Sequence, residues 1–224
     1  MKRRRKKPRT STVLLFSLIL FIFGLFLISY NYFVTKKEKI YSSMNLLLYE
    51  DEMPKNIETE KEEPEPSVPD DPVPERLADI GEEDKSITYN YIGILEISKL
   101  GIKKGFLNLE SPYNNVNKNV TLIEYSTMPD VENGNLILAA HSGNCWVCYF
   151  DKLYMLSVGD KAAVTYNGYK YTYELKNIYN VPKTGTVEVR RDPSKTVLTL
   201  ITCTRGSDTE QTVYIFELAK KEKK

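Results

Sequence analysis

Few residues here can do chemistry. Among 224 residues there is one histidine, His141, and there are three cysteines, Cys145, Cys148 and Cys203. The C-x-x-C pair and a single histidine fall short of a closed zinc site unless a carboxylate joins them. Acidic side chains such as Glu110, Glu124 and Asp160 are scattered and read as solvated surface, not as a calcium cluster. No metal and no cofactor is therefore expected. The balance of 31 basic against 30 acidic side chains leaves a net charge of +1. Nothing in that balance calls for a nucleic-acid partner, and there are no internal repeats.

The small net charge hides an asymmetry. Residues 1–12 open with MKRRRKKPR, and 13–34 follow with VLLFSLILFIFGLFLISYNYFV, which has no charged residue. Such a run has the length a helix needs to cross the hydrocarbon core of a bilayer. The positive-inside rule makes residues 1–12 a cytoplasmic tail and puts everything beyond Val34 outside the cell membrane, on a single-pass anchor. Tyr30, Tyr32 and Phe33 stand where an interfacial aromatic belt would lie. A cleaved signal peptide would have a shorter apolar run and a small-residue cleavage site, neither of which is present.

Residues 35–86 change character. Lys36–Tyr49 is a juxtamembrane segment with some helical character. Glu50–Lys85, with EEPEPSVPDDPVPE at its centre, is acidic and proline-rich. Like-charge repulsion and few apolar residues predict an extended tether. A lid folding back over a site is the alternative, but the proline-rich part offers no aromatic anchor for one.

Residues 87–224 are long enough to bury a core of their own. Strand-like runs occupy Tyr91–Ile97, Val120–Ile123, Asn135–Ala140, Ala162–Tyr166, Lys170–Ile178, Thr196–Thr202 and Gln211–Leu218. Asn167-Gly168 between two alternating runs is a hairpin signal, because both residues tolerate positive φ. Tyr149–Leu156 has helical spacing over one or two turns. Many short strands and few helices predict a mainly β fold, a closed or nearly closed barrel.

His141 and Cys203 each follow a strand-like run and precede a polar loop, so each is held by a strand and left accessible. An odd number of cysteines outside the membrane points to one reactive thiol. A free thiol is mostly protonated at neutral pH and needs a neighbouring imidazole or positive charge to act as a nucleophile. Any Cys–His pair in this chain must use His141, which can also protonate a leaving amine. Arg205, two residues past Cys203, could donate hydrogen bonds to a developing oxyanion or be a solvated loop charge. Cys145 and Cys148 could be a redox pair, but no βαβ pattern surrounds them. Two small residues packed in a loop, or a local disulfide, is the simpler reading.

At these residues the sequence resembles the sortases, the cell-wall transpeptidases of Gram-positive bacteria. YIGILEISKLGI (Tyr91–Ile102) looks like that family's opening strand, with Ser98 where a proline is usual. NGNLILAAHSGN (Asn133–Asn144) looks like its histidine segment. YFDKLYMLSVGD (Tyr149–Asp160) and TLITC (Thr199–Cys203) look like its helical turn and its cysteine strand. The resemblance implies an eight-stranded β-barrel with a groove near Cys203. It implies that Cys203 attacks the threonine carbonyl of an LPxTG-like signal on a surface protein or pilin. His141 would serve as acid and base, and a cell-wall precursor or a lysine amine would accept the acyl group. Ser142, Val181, Pro182 and Thr202 are the substrate-binding candidates, with the Tyr179–Ser194 loop as one wall of the groove.

In one respect the chain departs from the family. The family's arginine stands at the start of the strand after the cysteine loop, where this chain has Gln211-Thr212. Arg205 from the loop is the preferred replacement and Gln211 the alternative, with Arg190 and Arg191 further candidates. The departure also motivates a competing reading, a binding or assembly protein of weak catalysis on the same fold. An extracellular thiol oxidoreductase using Cys145 and Cys148 is a third. The chain is not expected to be a substrate of such an enzyme, because it carries no LPxTG-like motif with an apolar tail.

Overall fold

A computed structural model describes residues 10–52 and 89–224. The expected tether, and the lid that is its alternative, fall almost wholly at 53–88, outside the described residues. The chain divides into two units, Met1–Met44 and Asn45–Lys224.

Helix α1 spans Thr10–Glu52. Its Leu14–Val34 stretch, 21 residues, is long and apolar enough to cross a membrane. Leu14, Phe21, Phe26 and Phe33 are all exposed, and a helix that is apolar all round needs an apolar surrounding. The helix continues through the juxtamembrane segment because neither glycine nor proline occurs between Thr35 and Met53.

The second unit is an eight-stranded, nearly closed β-barrel. Its strands are β1 (Tyr91–Ile97), β2 (Ile102–Leu107), β3 (Thr121–Leu122), β4 (Asn135–Ala139), β5 (Lys161–Tyr166), β6 (Tyr169–Pro182), β7 (Val197–Cys203) and β8 (Glu210–Lys223). They form one sheet in the order β2-β1-β5-β6-β8-β7-β4-β3. A bridge between Phe106 and Val120 brings the two edges of the sheet together. The β5–β6 hairpin turns at Asn167 and Gly168, with φ of 48° and 74°, the positive values its two-residue turn requires.

The structure adds detail to the sequence reading at two places and corrects it at a third. β2 is not legible in the sequence because Lys103, Lys104 and Gly105 interrupt its apolar alternation. It forms because Gly101, at φ 65°, reverses the chain after β1, and because the Tyr91 ring lies where a Cβ on Gly105 would sit. Within Tyr149–Leu156 the helical content is one 3-10 turn, Leu153–Met155. β6 runs on to Pro182, so the loop before β7 begins at Lys183 and not at Tyr179.

β4 and β7 are parallel neighbours, with Ala139 level with Ile201. Each is a near-continuous apolar run, as expected of strands covered on both faces. Leu136, Leu138, Leu198 and Leu200 point into the main core with Phe106, Tyr171, Tyr173 and Phe216. Val197 and Ile201 point the other way, into a second cluster with Val181, Val213 and Ile215. Val187 and Val189 of the β6–β7 loop cover that cluster.

Candidate functional site

Parallel pairing sets the site. Because β4 and β7 run in the same direction, their C-terminal ends lie side by side. Cys203 is the last residue of β7 and His141 stands two residues beyond Ala139. The two chains stay together past the ladder. The Ala140 amide donates to the Ile201 carbonyl (3.3 Å), Thr202 Oγ1 donates to the Ala140 carbonyl (2.8 Å), and Ser142 Oγ donates to the Cys203 carbonyl (2.7 Å). Strand alternation gives His141 the face of Ile137 and Ala139, and Cys203 the face of Val197 and Ile201. Both therefore belong to the outer face of the sheet, on neighbouring strands roughly 4.8 Å apart.

Cys203 is half-buried and is the free cysteine. His141 is also half-buried, and its Nε2 lies 3.0 Å from Oδ1 of Asn117 in the β2–β3 loop. An amide oxygen accepts, so Nε2 is the nitrogen that donates to it, and Nδ1 takes no part in that bond. Nothing in the polar run around Asn117 signals this role. Only the fold brings that loop to the end of β4.

A small cavity opens beside the thiol. Cys203, Arg205, Ser142 and Thr202 line it with Phe150, Asp151, Tyr154, Thr212 and Tyr214. Burial pushes the Tyr214 hydroxyl up to about 12, so it is neutral throughout the physiological range. The Arg205 guanidinium lies over the Tyr154 ring, 4.2 Å from its centroid, a cation–π contact that gives the exposed side chain a fixed direction. Gln211 pairs with Cys203 directly across the β7–β8 ladder, and Val181 pairs with Gln211 on the next strand.

Ser142 and Thr202 thus reach the cavity, whereas Val181 is buried in the second cluster and Pro182 is exposed at the end of β6. Neither lines the cavity. Arg191 donates to the carbonyls of Asn133 and Lys195, at the opposite end of β7 from Cys203. Arg190 pairs with Glu188 and lies over Tyr179. A residue that sequence reasoning did not single out, Lys183, holds its Nζ 3.7 Å from Cys203 Sγ.

The loop after His141 is a closed unit. The Phe150 amide donates to the His141 carbonyl (3.0 Å), and Cys145 and Cys148 are joined as a disulfide within it. This leaves the outer-face thiol at Cys203, with one imidazole and several donors grouped about the ends of β4 and β7.

The fold has clear relatives. The sortase D5 transpeptidase of Clostridium perfringens superimposes with a TM-score of 0.50 at 23% identity, over 58% of this chain and 79% of that one. Sortase C1 of Streptococcus agalactiae gives 0.52 at 25% identity, over 58% and 68%. Sortase A of Listeria monocytogenes gives 0.51 at 22% identity, over 60% and 90%. Comparison with curated proteins finds no match. The sortase domain family model matches residues 95–219. That span is more than half of the chain and contains both His141 and Cys203, so the chain belongs to the sortase family.

Proposed function

We propose that this protein is a membrane-anchored cysteine transpeptidase that cleaves an LPxTG-like sorting signal after its threonine. The observation that carries the reading is that His141 and Cys203 stand two residues beyond Ala139 and Ile201 respectively, the last paired residues of two parallel strands. In this reading the Cys203 thiol passes its proton to His141, Sγ bonds to the threonine carbonyl carbon, and the carbonyl electron pair moves to oxygen. Collapse breaks the C–N bond to glycine while His141 gives its proton to the departing amine. A thioester to Cys203 remains. An incoming amine, from a cell-wall precursor or a pilin lysine, loses a proton to His141 and attacks the thioester. The C–S bond then breaks and the sulfur takes the proton back from His141, leaving a new amide and a free thiol.

Arg205 supplies hydrogen bonds on the cavity side of Cys203, and Gln211, directly across the ladder, is the alternative donor. Ser142 and Thr202 contact the bound peptide from the cavity. The basic tail lies inside the cell, Leu14–Val34 spans the bilayer, and the barrel faces outward toward surface proteins or pilins bearing the signal.

The test uses the full chain in detergent, incubated with LPxTG-like and NPxTx-like peptides and an amine acceptor, with products read by mass spectrometry. Cleavage after threonine is expected in the wild type and absent in Cys203→Ala and His141→Ala. Arg205→Ala and Gln211→Ala compare the two donors. Tight peptide binding with no cleavage and no acyl adduct on Cys203 would replace this reading with that of a binding or assembly protein.

A further inference from the structure

The ammonium of Lys183 faces the Cys203 sulfur from the far side of β8, the strand between β6 and β7. Val181, Gln211 and Cys203 form one row across β6, β8 and β7. Lys183, two residues past Val181, is on the same face. Its stem spans the width of β8 to bring Nζ to 3.7 Å from Cys203 Sγ. The backbone at this point is fixed, because the Lys183 amide donates to the Thr209 carbonyl (2.8 Å). Among the described residues Lys183 has no carboxylate partner within ion-pair distance.

We propose that Lys183 is a catalytic residue of the Cys203 reaction, the cation that faces the sulfur and then meets the acyl oxygen as charge develops there. The second half of this rests on the acyl-transfer reading; the first does not. In a tetrahedral adduct the oxyanion is two bonds from sulfur. An ammonium already beside Sγ can therefore meet it at a donor distance of roughly 2.7–3.1 Å. Gln211, the residue directly opposite Cys203, offers only a neutral donor, and charge-assisted hydrogen bonds are about twice as strong. Arg205 is held in a plane against Tyr154, whereas an ammonium on a flexible stem is a point charge that can follow the moving electron pair.

The test compares full-length wild type, Lys183→Met, Lys183→Gln and Lys183→Arg. With Cys145 and Cys148 in their disulfide, iodoacetamide labels Cys203, and intact mass reads the rate without any peptide substrate. Alkylation at neutral pH is expected to slow about 3- to 10-fold in the Met and Gln variants and to return to within about 3-fold in Lys183→Arg. Added salt should slow the wild type and leave Lys183→Met unchanged. Where a peptide is processed, kcat should fall at least about 10-fold in Lys183→Met with little change in KM. Wild-type alkylation rates in the folded Met and Gln variants would overturn the proposal. So would a loss that arginine does not restore, since the effect would then be one of packing. A failure of every peptide to react bears on the acyl-transfer reading, while the alkylation series still decides whether Lys183 acts on the sulfur.

Discussion

Ser142 Oγ donates a 2.7 Å hydrogen bond to the carbonyl oxygen of Cys203, tying the residue after His141 to the nucleophile's own backbone. With Thr202 Oγ1 on the Ala140 carbonyl, it carries the β4–β7 pairing to the two reacting side chains, past the point where the ladder ends. Ser142→Ala is expected to cost about 1 kcal/mol of stability and to lower kcat about 3- to 10-fold. Urea melts and peptide turnover read the two effects separately. An unchanged kcat would mean that the strap does not set the geometry of the pair.

Asn117 holds His141 at Nε2. Asn117→Ala frees the ring to rotate and to change tautomer, so kcat should fall about 10-fold while KM stays near the wild-type value. Asn117→Asp should not restore it, because a carboxylate alters the charge on the ring. A KM effect alone would assign Asn117 to substrate binding.

The core beneath the site supports it. Leu138 on β4 is fully buried, and Leu138→Ala leaves a cavity whose cost is about 2–5 kcal/mol. Chemical denaturation of the variant measures this directly. A loss below about 1 kcal/mol would show that β4 repacks freely.

Acid should weaken the barrel through Glu96. A hydrogen bond from Ser98, followed by the charges of Lys170 and Lys103, holds its carboxyl below the usual carboxylate range against the opposing effect of burial. A folded value below the unfolded one stabilises at neutral pH, and that contribution is lost as pH falls through the folded value. Ser98→Ala should therefore lower Tm by about 1–4 °C at neutral pH, with the difference closing as acid protonates the carboxyl. A difference that grows on acidification would contradict this assignment.

Most of the barrel was legible in the sequence because apolar alternation marks strands directly. Seven strand-like runs fall on β1 and β3–β8, and Asn167-Gly168 turns where its φ preferences demand. β2 was hidden, since Lys103, Lys104 and Gly105 break the pattern and only pairing with β1 makes it a strand. β6 and β8 also run further than their apolar segments, because pairing with each other continues through Lys220–Lys223 and Asn180–Pro182.

The reactive residue types were decided by the sequence alone. A single histidine leaves no other imidazole, and one cysteine stands apart from the close C-x-x-C pair. The apolar run at 13–34 is likewise a local property, set by composition over about twenty positions. Tertiary structure decided everything that depends on neighbours distant in the chain. The parallel pairing of β4 with β7 brings the strand ends that carry His141 and Cys203 side by side, although the two are 62 positions apart along the chain. The order β6-β8-β7 brings Lys183 to the sulfur, and the β2–β3 loop brings Asn117 to the imidazole. Strand periodicity tells which face a side chain takes, but not which strand lies beside it. That choice belongs to the packing of the whole barrel, where each apolar face finds cover only in one arrangement.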